Sequence, residues 1–298
     1  MVVFMPGSET CSYSKRLINQ AGLPILEGIA PSTPKHTRTS SAAIYLILVA
    51  AAMLLAAPSA LAQDNYEIQV YGSDTMEPHR TMVESHTNGT MEGSIGIVDG
   101  VLPTNGALHE TIEITHGFTD LFETGFYIFT SANPGYGWQY VGSHIRPRVR
   151  VPETWHWPVG VSLSLEFGYQ RPIFATDTWT LEIRPIIDQK RGRWYWSFNP
   201  AMDRSFHGPS VNKGVEFAPS FKLSYDVTAK VAGGFEYYSS LGSLAGFDTL
   251  RNQQHQIFPT IDLNLSPKWE FNFGVGFGLT SSTDHLIVKM ILGYRFDF

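Results

Sequence analysis

Carboxylates that face each other are the first feature of this sequence that could do chemistry. Glu166 and Glu182 fall on neighbouring predicted strands, and pairing those strands about residues 171–176 places them opposite each other, with Arg184 one diagonal away. Two facing carboxylates are the catalytic groups of glycosidases. The competing interpretation is a carboxylate pair neutralised by Arg184.

A histidine cluster is the second such feature. His109 and Glu113, with His116 nearby, give an HExxE pattern. On a strand His109 and Glu113 would share a face, which could support a weak metal site. A hydrogen-bonded interior histidine explains the pattern more simply, so we predict no metal and no cofactor.

A serine beside a histidine is the third feature. Ser85 precedes His86 in the stretch that ends His86-Thr87-Asn88-Gly89. A hydroxyl nucleophile needs its base within hydrogen-bond reach, whereas consecutive side chains of a strand point to opposite faces. The sequence also has no P-loop, no dinucleotide fingerprint and no Gly-x-Ser-x-Gly. We therefore predict no enzyme, and keep a lipid-modifying enzyme as an alternative.

Long β-strands are the elements predicted to position these residues. In residues 157–170, Val161, Leu163 and Leu165 alternate with polar residues, which is the period of a strand. Many such segments have ten or more residues, whereas soluble strands usually have about five or six and membrane-spanning strands about nine to eleven. Twelve strands are predicted, at residues 80–89, 106–115, 121–131, 138–149, 158–170, 177–188, 193–203, 213–225, 230–239, 255–264, 268–279 and 284–297.

The N-terminal part has the pattern of an export signal. Basic residues from Lys35 precede an apolar run at 42–57, and Ala60-Leu61-Ala62 matches the small-x-small cleavage pattern. We predict a leader at 1–34 outside the fold, a signal peptide at 35–62 cleaved after Ala62, a periplasmic lead-in at 63–79 and a barrel at 80–298. The sole cysteine, Cys11, would leave with the leader.

The last predicted strand carries a resemblance. Gly293, Phe296 and Phe298 match the glycine, the alternating aromatics and the final phenylalanine of the C-terminal insertion signal of bacterial outer-membrane barrels, which this strand resembles. The resemblance implies the outer membrane of a Gram-negative cell, with outer-membrane lipid and the barrel-assembly machinery as partners. More loosely, the chain is similar to outer-membrane transporters encoded near aromatic-degradation genes.

Composition narrows the function classes. The net charge of −6 argues against nucleic acid as a partner. Scarce charged residues (16%) with 13% aromatics suit a sheet that faces lipid, and equally a secreted β-sandwich. A closed barrel has no edge strand to accommodate proline. A soluble sandwich that binds or hydrolyses carbohydrate therefore remains an alternative, because five prolines fall on predicted outward positions: Pro147, Pro185, Pro200, Pro219 and Pro259.

If the apolar face is outward, the inward face carries both signs of charge. Strand pairing predicts Glu123 opposite Arg146 and Glu113 beside Glu123. Arginines could form a constriction that selects solutes by charge, or the acids and bases could simply neutralise one another. The candidate lumen charges are Glu113, Glu123, Arg146, Arg148, Glu166, Glu182 and Arg184.

We therefore expect an all-β, transmembrane, antiparallel up-and-down barrel of about twelve strands. Its expected role is that of a narrow, porin-like pore or transporter for a small solute that the sequence does not identify. A closed barrel with a structural role is the alternative within the same fold.

Overall fold

A computed structural model describes residues 65–297. The predicted leader at 1–34, the signal peptide at 35–62 with Ala60 and Ala62, and Phe298 lie outside these described residues. All twelve predicted strands are present, with ends that differ from the predictions by a few residues, and a short hairpin adds two more. The strands are β1 Arg80–Glu92, β2 Leu108–Thr119, β3 Phe122–Asn133, β4 Gly137–Arg150, β5 Gly160–Gln170, β6 Trp179–Arg191, β7 Trp194–His207, β8 Val215–Asp226, β9 Val231–Ser240, β10 Gly242–Ser243, β11 Gly246–Phe247, β12 Gln254–Leu263, β13 Trp269–Gly278 and β14 Leu286–Asp297.

The long strands form one closed antiparallel sheet. Each pairs with its neighbours in chain order, β9 pairs with both β8 and β12, and β14 pairs with β1. β10 and β11 form a small hairpin beside β8. The closed sheet excludes the β-sandwich, which has two separate sheets. No helix among residues 65–297 is long and apolar enough to cross a membrane.

The two ends of the barrel differ. We call the end where β1 begins and β14 stops the terminal end, because Arg80 lies opposite Asp297 there, and the other the loop end. At the terminal end Lys268 donates a hydrogen bond to Asp297 across 2.7 Å, which raises the pKa of Lys268. Connections at the terminal end are mostly short, and several at the loop end are long, notably 93–107 and 241–253.

The outer face is apolar, as the alternation predicts. On β5, Leu163 and Leu165 are exposed, while Ser162 and Ser164 between and beside them are buried in the interior. The other strands follow the same rule. Exposed apolar side chains on the outer face include Ile114, Phe126, Ile128, Ile145, Val149, Phe167, Phe198, Phe206, Ile261, Phe273, Phe277 and Leu292.

Aromatic side chains border this apolar face. At the terminal end Trp194 contacts Tyr225 and Trp269 contacts Tyr294, each with ring centroids 4.8 Å apart. At the loop end Trp179 is exposed at the start of β6. An apolar band between aromatic girdles is the outer surface of a membrane-spanning barrel.

The strand prolines sit where hydrogen-bonded pairing is interrupted. Between β6 and β7, pairing stops at Ile183 opposite Met202 and resumes at Ile187 opposite Phe198, and the interval contains Pro185. Pro200 lies in the same interval and faces Pro219 across the β7–β8 pairing. Pairing is also interrupted around Pro147 between β4 and β5 and around Pro259 between β12 and β13. Local gaps therefore accommodate Pro147, Pro185, Pro200 and Pro259 without opening the sheet, and Pro219 lies just beyond the β8–β9 pairing, which begins at Ser220.

A charge on the outer face should be costly. Leu165 lies in the middle of β5 with its side chain outward. We expect Leu165→Arg to lower the free energy of unfolding by about 2–4 kcal/mol, since arginine would lie near the middle of the bilayer. Urea unfolding in lipid vesicles, followed by tryptophan fluorescence, measures the change.

The matched control is Val227→Arg in the exposed turn at 227–230, where we expect a change below about 0.5 kcal/mol. Equal costs for the two variants would contradict a lipid-facing wall at Leu165.

The segment before β1 is the main departure from expectation. We predicted a periplasmic lead-in at residues 63–79, and the described part of it lies inside the barrel. Asn65 lies at the loop end, with its side-chain amide 2.5 Å from Asp284, and the chain passes through the interior to β1. Buried Tyr66, Ile68 and Val70 lie along this path. We call residues 65–79 the lumen segment.

Candidate functional site

The barrel wall binds the backbone of the lumen segment. Thr111 Oγ1 donates to the carbonyl of Tyr66 at 2.7 Å, and Lys289 Nζ donates to that of Ile68 at 2.9 Å. The Tyr71 amide donates to Asn199 Oδ1 at 2.8 Å. A buried backbone group without a partner costs about as much as a lost hydrogen bond, so these inward polar side chains allow an irregular segment to lie inside the barrel.

Apolar contacts reinforce this anchoring. Tyr66 packs in a cluster with Tyr127 and Phe129 of β3. Ile68 and Val70 pack in a second cluster, whose wall residues are Tyr238, Phe258 and Ile287. The aromatic and aliphatic residues that interrupt the polar inner face are therefore the binding surface for the lumen segment.

The predicted arginine constriction is filled by a tyrosine. The guanidinium carbons of Arg146, Arg148 and Arg184 lie 4.6, 5.6 and 4.9 Å from the ring centroid of Tyr71. A guanidinium within about 6 Å of an aromatic ring gains a cation–π attraction. The three arginines do come together, but around a side chain of the lumen segment.

The same arginines form buried ion pairs. Arg146 Nη2 lies 2.5 Å from Glu113 Oε1, and Arg148 Nη2 lies 2.6 Å from Glu123 Oε1. Arg184 Nε lies 2.5 Å from Glu182 Oε1. Mutual neutralisation therefore describes the interior in this structure better than an unobstructed ring of positive charge.

Two of the predicted pairings need correction. Glu123 lies opposite Arg148 instead of Arg146, a difference of two residues. The hairpin pairs Asn133 with Gly137, which accounts for one residue, and a bulge in β4 opposite Phe129 and Thr130 adds the other. Glu113 lies opposite Tyr127, and it is linked to Glu123 through Arg146, which contacts both carboxylates.

A second ion network lies on the other side of the interior. Lys289, which is fully buried, contacts Glu236, and Lys222 bridges Glu236 at 3.0 Å and Asp262 at 2.8 Å. Because Lys289 also binds the lumen segment, this network holds both the wall strands and the segment.

The candidate enzyme features do not assemble as catalytic pairs. Ser85 faces outward and donates to Glu110, while His86 faces inward 3.3 Å from Glu113. His109 lies 3.0 Å from the hydroxyl of Ser131. Ser85 and His86 thus lie on opposite faces of β1. The histidine and the second glutamate of the HExxE pattern contact different partners.

Glu166 and Glu182 lie opposite each other, as the strand pairing predicts. They bind different partners, however, since His144 Nδ1 lies 2.6 Å from Glu166 and Arg184 pairs with Glu182. The facing carboxylates are therefore each held by a basic side chain in this structure.

A cavity of about 710 Å³ lies towards the loop end, and we call it the vestibule. Asn65, Tyr66 and Glu67 of the lumen segment contribute to its wall, and Leu102, Phe129 and Phe174 give it an apolar part. Its eight carboxylates outnumber its one guanidinium, Arg184. The carboxylates belong to Glu67, Asp99, Glu166, Asp177, Glu182, Asp203, Glu216 and Asp284.

The lumen segment was not predicted as part of the site. The stretch Tyr66-Glu67-Ile68-Gln69-Val70-Tyr71 alternates apolar and polar residues just as the wall strands do. That alternation was a usable signal that the segment is held against a sheet, although it does not indicate which side of the sheet.

Comparisons with known proteins agree with this architecture. A model of the family described as MetA-pathway of phenol degradation matches residues 115–296. The structure of an outer membrane channel from Pseudomonas putida F1 has a TM-score of 0.53 and 10% sequence identity, over 77% of this chain and 100% of that chain. The KdgM porin has a TM-score of 0.47 and 8% identity, over 72% of this chain and 99% of that chain. No curated protein sequence matches. Since the family model covers more than half of the sequence, the chain belongs to the MetA-pathway phenol degradation family, and its fold is the β-barrel of an outer membrane channel.

Proposed function

We propose that this protein is a narrow outer-membrane pore for small solutes, with the vestibule as the solute-binding part of the path. The observation that carries the proposal is a carboxylate-rich cavity of about 710 Å³ inside a closed barrel whose outer wall is apolar. The lumen segment narrows the path between the vestibule and the terminal end.

We place the terminal end in the periplasm and the loop end outside the cell, because bacterial barrels have short periplasmic turns and longer extracellular loops. Gly293 and Phe296 lie on β14, which closes the barrel against β1. With Phe298 they are our candidates for the signal read by the barrel-assembly machinery.

The charge of the vestibule supports a class of solute. Carboxylates without an equal number of basic groups repel anions and attract cations. Phe129 and Phe174 add apolar surface suited to a ring or short hydrocarbon. We infer that the solute is a small neutral or cationic molecule with an apolar part, and the phenol degradation described for the family supports an aromatic one.

Conductance in a planar lipid bilayer tests the proposal. We expect wild-type protein to give small single-channel currents, with a reversal potential in a KCl gradient that shows preference for K⁺. Absence of current both from wild-type protein and from a variant that lacks residues 65–72 would contradict a pore. A preference for Cl⁻ would contradict the solute class and leave the pore standing.

A further inference from the structure

A cluster of three ligand-type side chains lies in the wall outside the vestibule. Glu84 and His86 occupy alternate positions of β1 and face inward, and Glu113 of β2 lies directly opposite Glu84. One ligand atom from each side chain can be chosen so that all three lie within 4.8 Å of one another. None of the three is more than 2% exposed.

Two of their polar atoms are unused. Glu84 Oε1 and His86 Nδ1 have no hydrogen-bond partner among the described residues, while His86 Nε2 and Glu113 Oε2 contact each other. Buried polar groups in native proteins nearly always have partners, and a buried charge without one is costly. Arg146 contacts the other oxygen of Glu113. Among residues 65–297, no lysine or arginine forms an ion pair with Glu84.

We propose that Glu84, His86 and Glu113 bind one divalent transition-metal ion, with Zn²⁺ as the best fit. Zinc takes imidazole nitrogen and carboxylate oxygen at about 2.0–2.2 Å, so two ligands of a tetrahedral ion lie about 3.4 Å apart. His86 Nε2 and Glu113 Oε2 lie 3.3 Å apart. Three protein ligands leave the fourth position of a tetrahedral ion to water.

The surroundings hold the ligands in place. Thr115 Oγ1 and Arg146 Nη2 donate to Glu113 Oε1, which leaves Oε2 directed at His86. Such outer contacts orient metal ligands in proteins. Gly293 of β14 lies opposite Glu84, and a Cβ at that glycine would lie only 2.9 Å from Glu84 Cγ. The ion would thus link β1 and β2 beside the seam where β14 closes the barrel.

Metal retention tests the site. Protein purified in detergent without a polyhistidine tag, which would itself bind metal, is stripped with EDTA, loaded with Zn²⁺ and freed of excess metal by gel filtration. Plasma mass spectrometry should find about one zinc per chain in wild-type protein. We expect Glu84→Gln and His86→Gln to lose at least about nine-tenths of it, since each removes one of three protein ligands.

The matched control is His109→Gln, which alters another buried inward histidine on the same pair of strands and should retain the zinc. Heat-dependent mobility on gels confirms that each variant is folded. If His86→Gln fails to fold, Co²⁺-loaded wild-type protein decides by itself: tetrahedral absorption bands support the site, and no uptake or an octahedral spectrum overturns it. Zinc-free wild-type protein, or full retention by folded His86→Gln, also overturns it. None of these readouts depends on pore activity.

Discussion

Deleting residues 65–72 should raise the single-channel conductance of this barrel severalfold. The deletion removes Tyr71 from among Arg146, Arg148 and Arg184, and with it the backbone that crosses the interior towards the loop end. The contacts of Ser73 with Asp188 remain to hold the rest of the lumen segment. Planar-bilayer recording at fixed salt measures the effect.

Loss of the lumen segment should also change selectivity. Guanidinium groups that Tyr71 now covers would face the enlarged path, so Cl⁻ should gain permeability relative to K⁺. Tyr71→Phe is the matched control, because it keeps the ring among the arginines and removes only the hydroxyl that contacts Glu67 and Tyr127. We expect near-wild-type conductance from this control.

A folded deletion variant with wild-type conductance would show that the lumen segment does not limit the path. Tyr71→Ala provides a second test if the deletion prevents folding, with a smaller expected increase because the backbone of the segment stays in place. Heat-dependent gel mobility shows whether the deletion variant is folded.

Neutralising three of the eight vestibule carboxylates should weaken its cation preference. The variant combines Asp99→Asn, Asp203→Asn and Glu216→Gln, three carboxylates of the vestibule wall. A unit charge about 8 Å from an ion changes its energy by about 0.5 kcal/mol at the dielectric constant of water. Three such charges amount to about 1.5 kcal/mol for each ion, with opposite signs for K⁺ and Cl⁻, so we expect the K⁺/Cl⁻ permeability ratio to fall at least about tenfold at low salt.

The control neutralises three exposed carboxylates at the opposite end, Glu77→Gln, Asp120→Asn and Glu153→Gln. These should change the permeability ratio little, because they lie outside the vestibule and are screened by salt. Equal effects of the two triple variants would mean that overall charge, and not the vestibule, sets selectivity. The difference between them should shrink in 1 M KCl, where the Debye length is about 3 Å.

The alternation and length of the strands predicted much of this protein's fold from sequence alone. Alternation along each strand fixed which side chains face inward, so Arg146, Glu166 and Arg184 could be assigned to the interior before the structure was known. Strand length and the C-terminal strand with Gly293 indicated a barrel of twelve long strands that closes on β1. Period and length are local properties of the chain, and the sequence carries them directly.

Register and interior packing were decided only by the tertiary structure. Alternation is unchanged by a shift of two residues, and it does not indicate a bulge, so the partner of Glu123 could not be read from the pattern. The approach of Glu84, His86 and Glu113 depends likewise on the register between β1 and β2. Placement of the lumen segment depends on contacts between residues far apart in sequence, such as Tyr71 with Asn199 and Ile68 with Lys289. Because these partners are far apart in sequence, the alternation of single strands predicted the barrel wall but not the segment inside it.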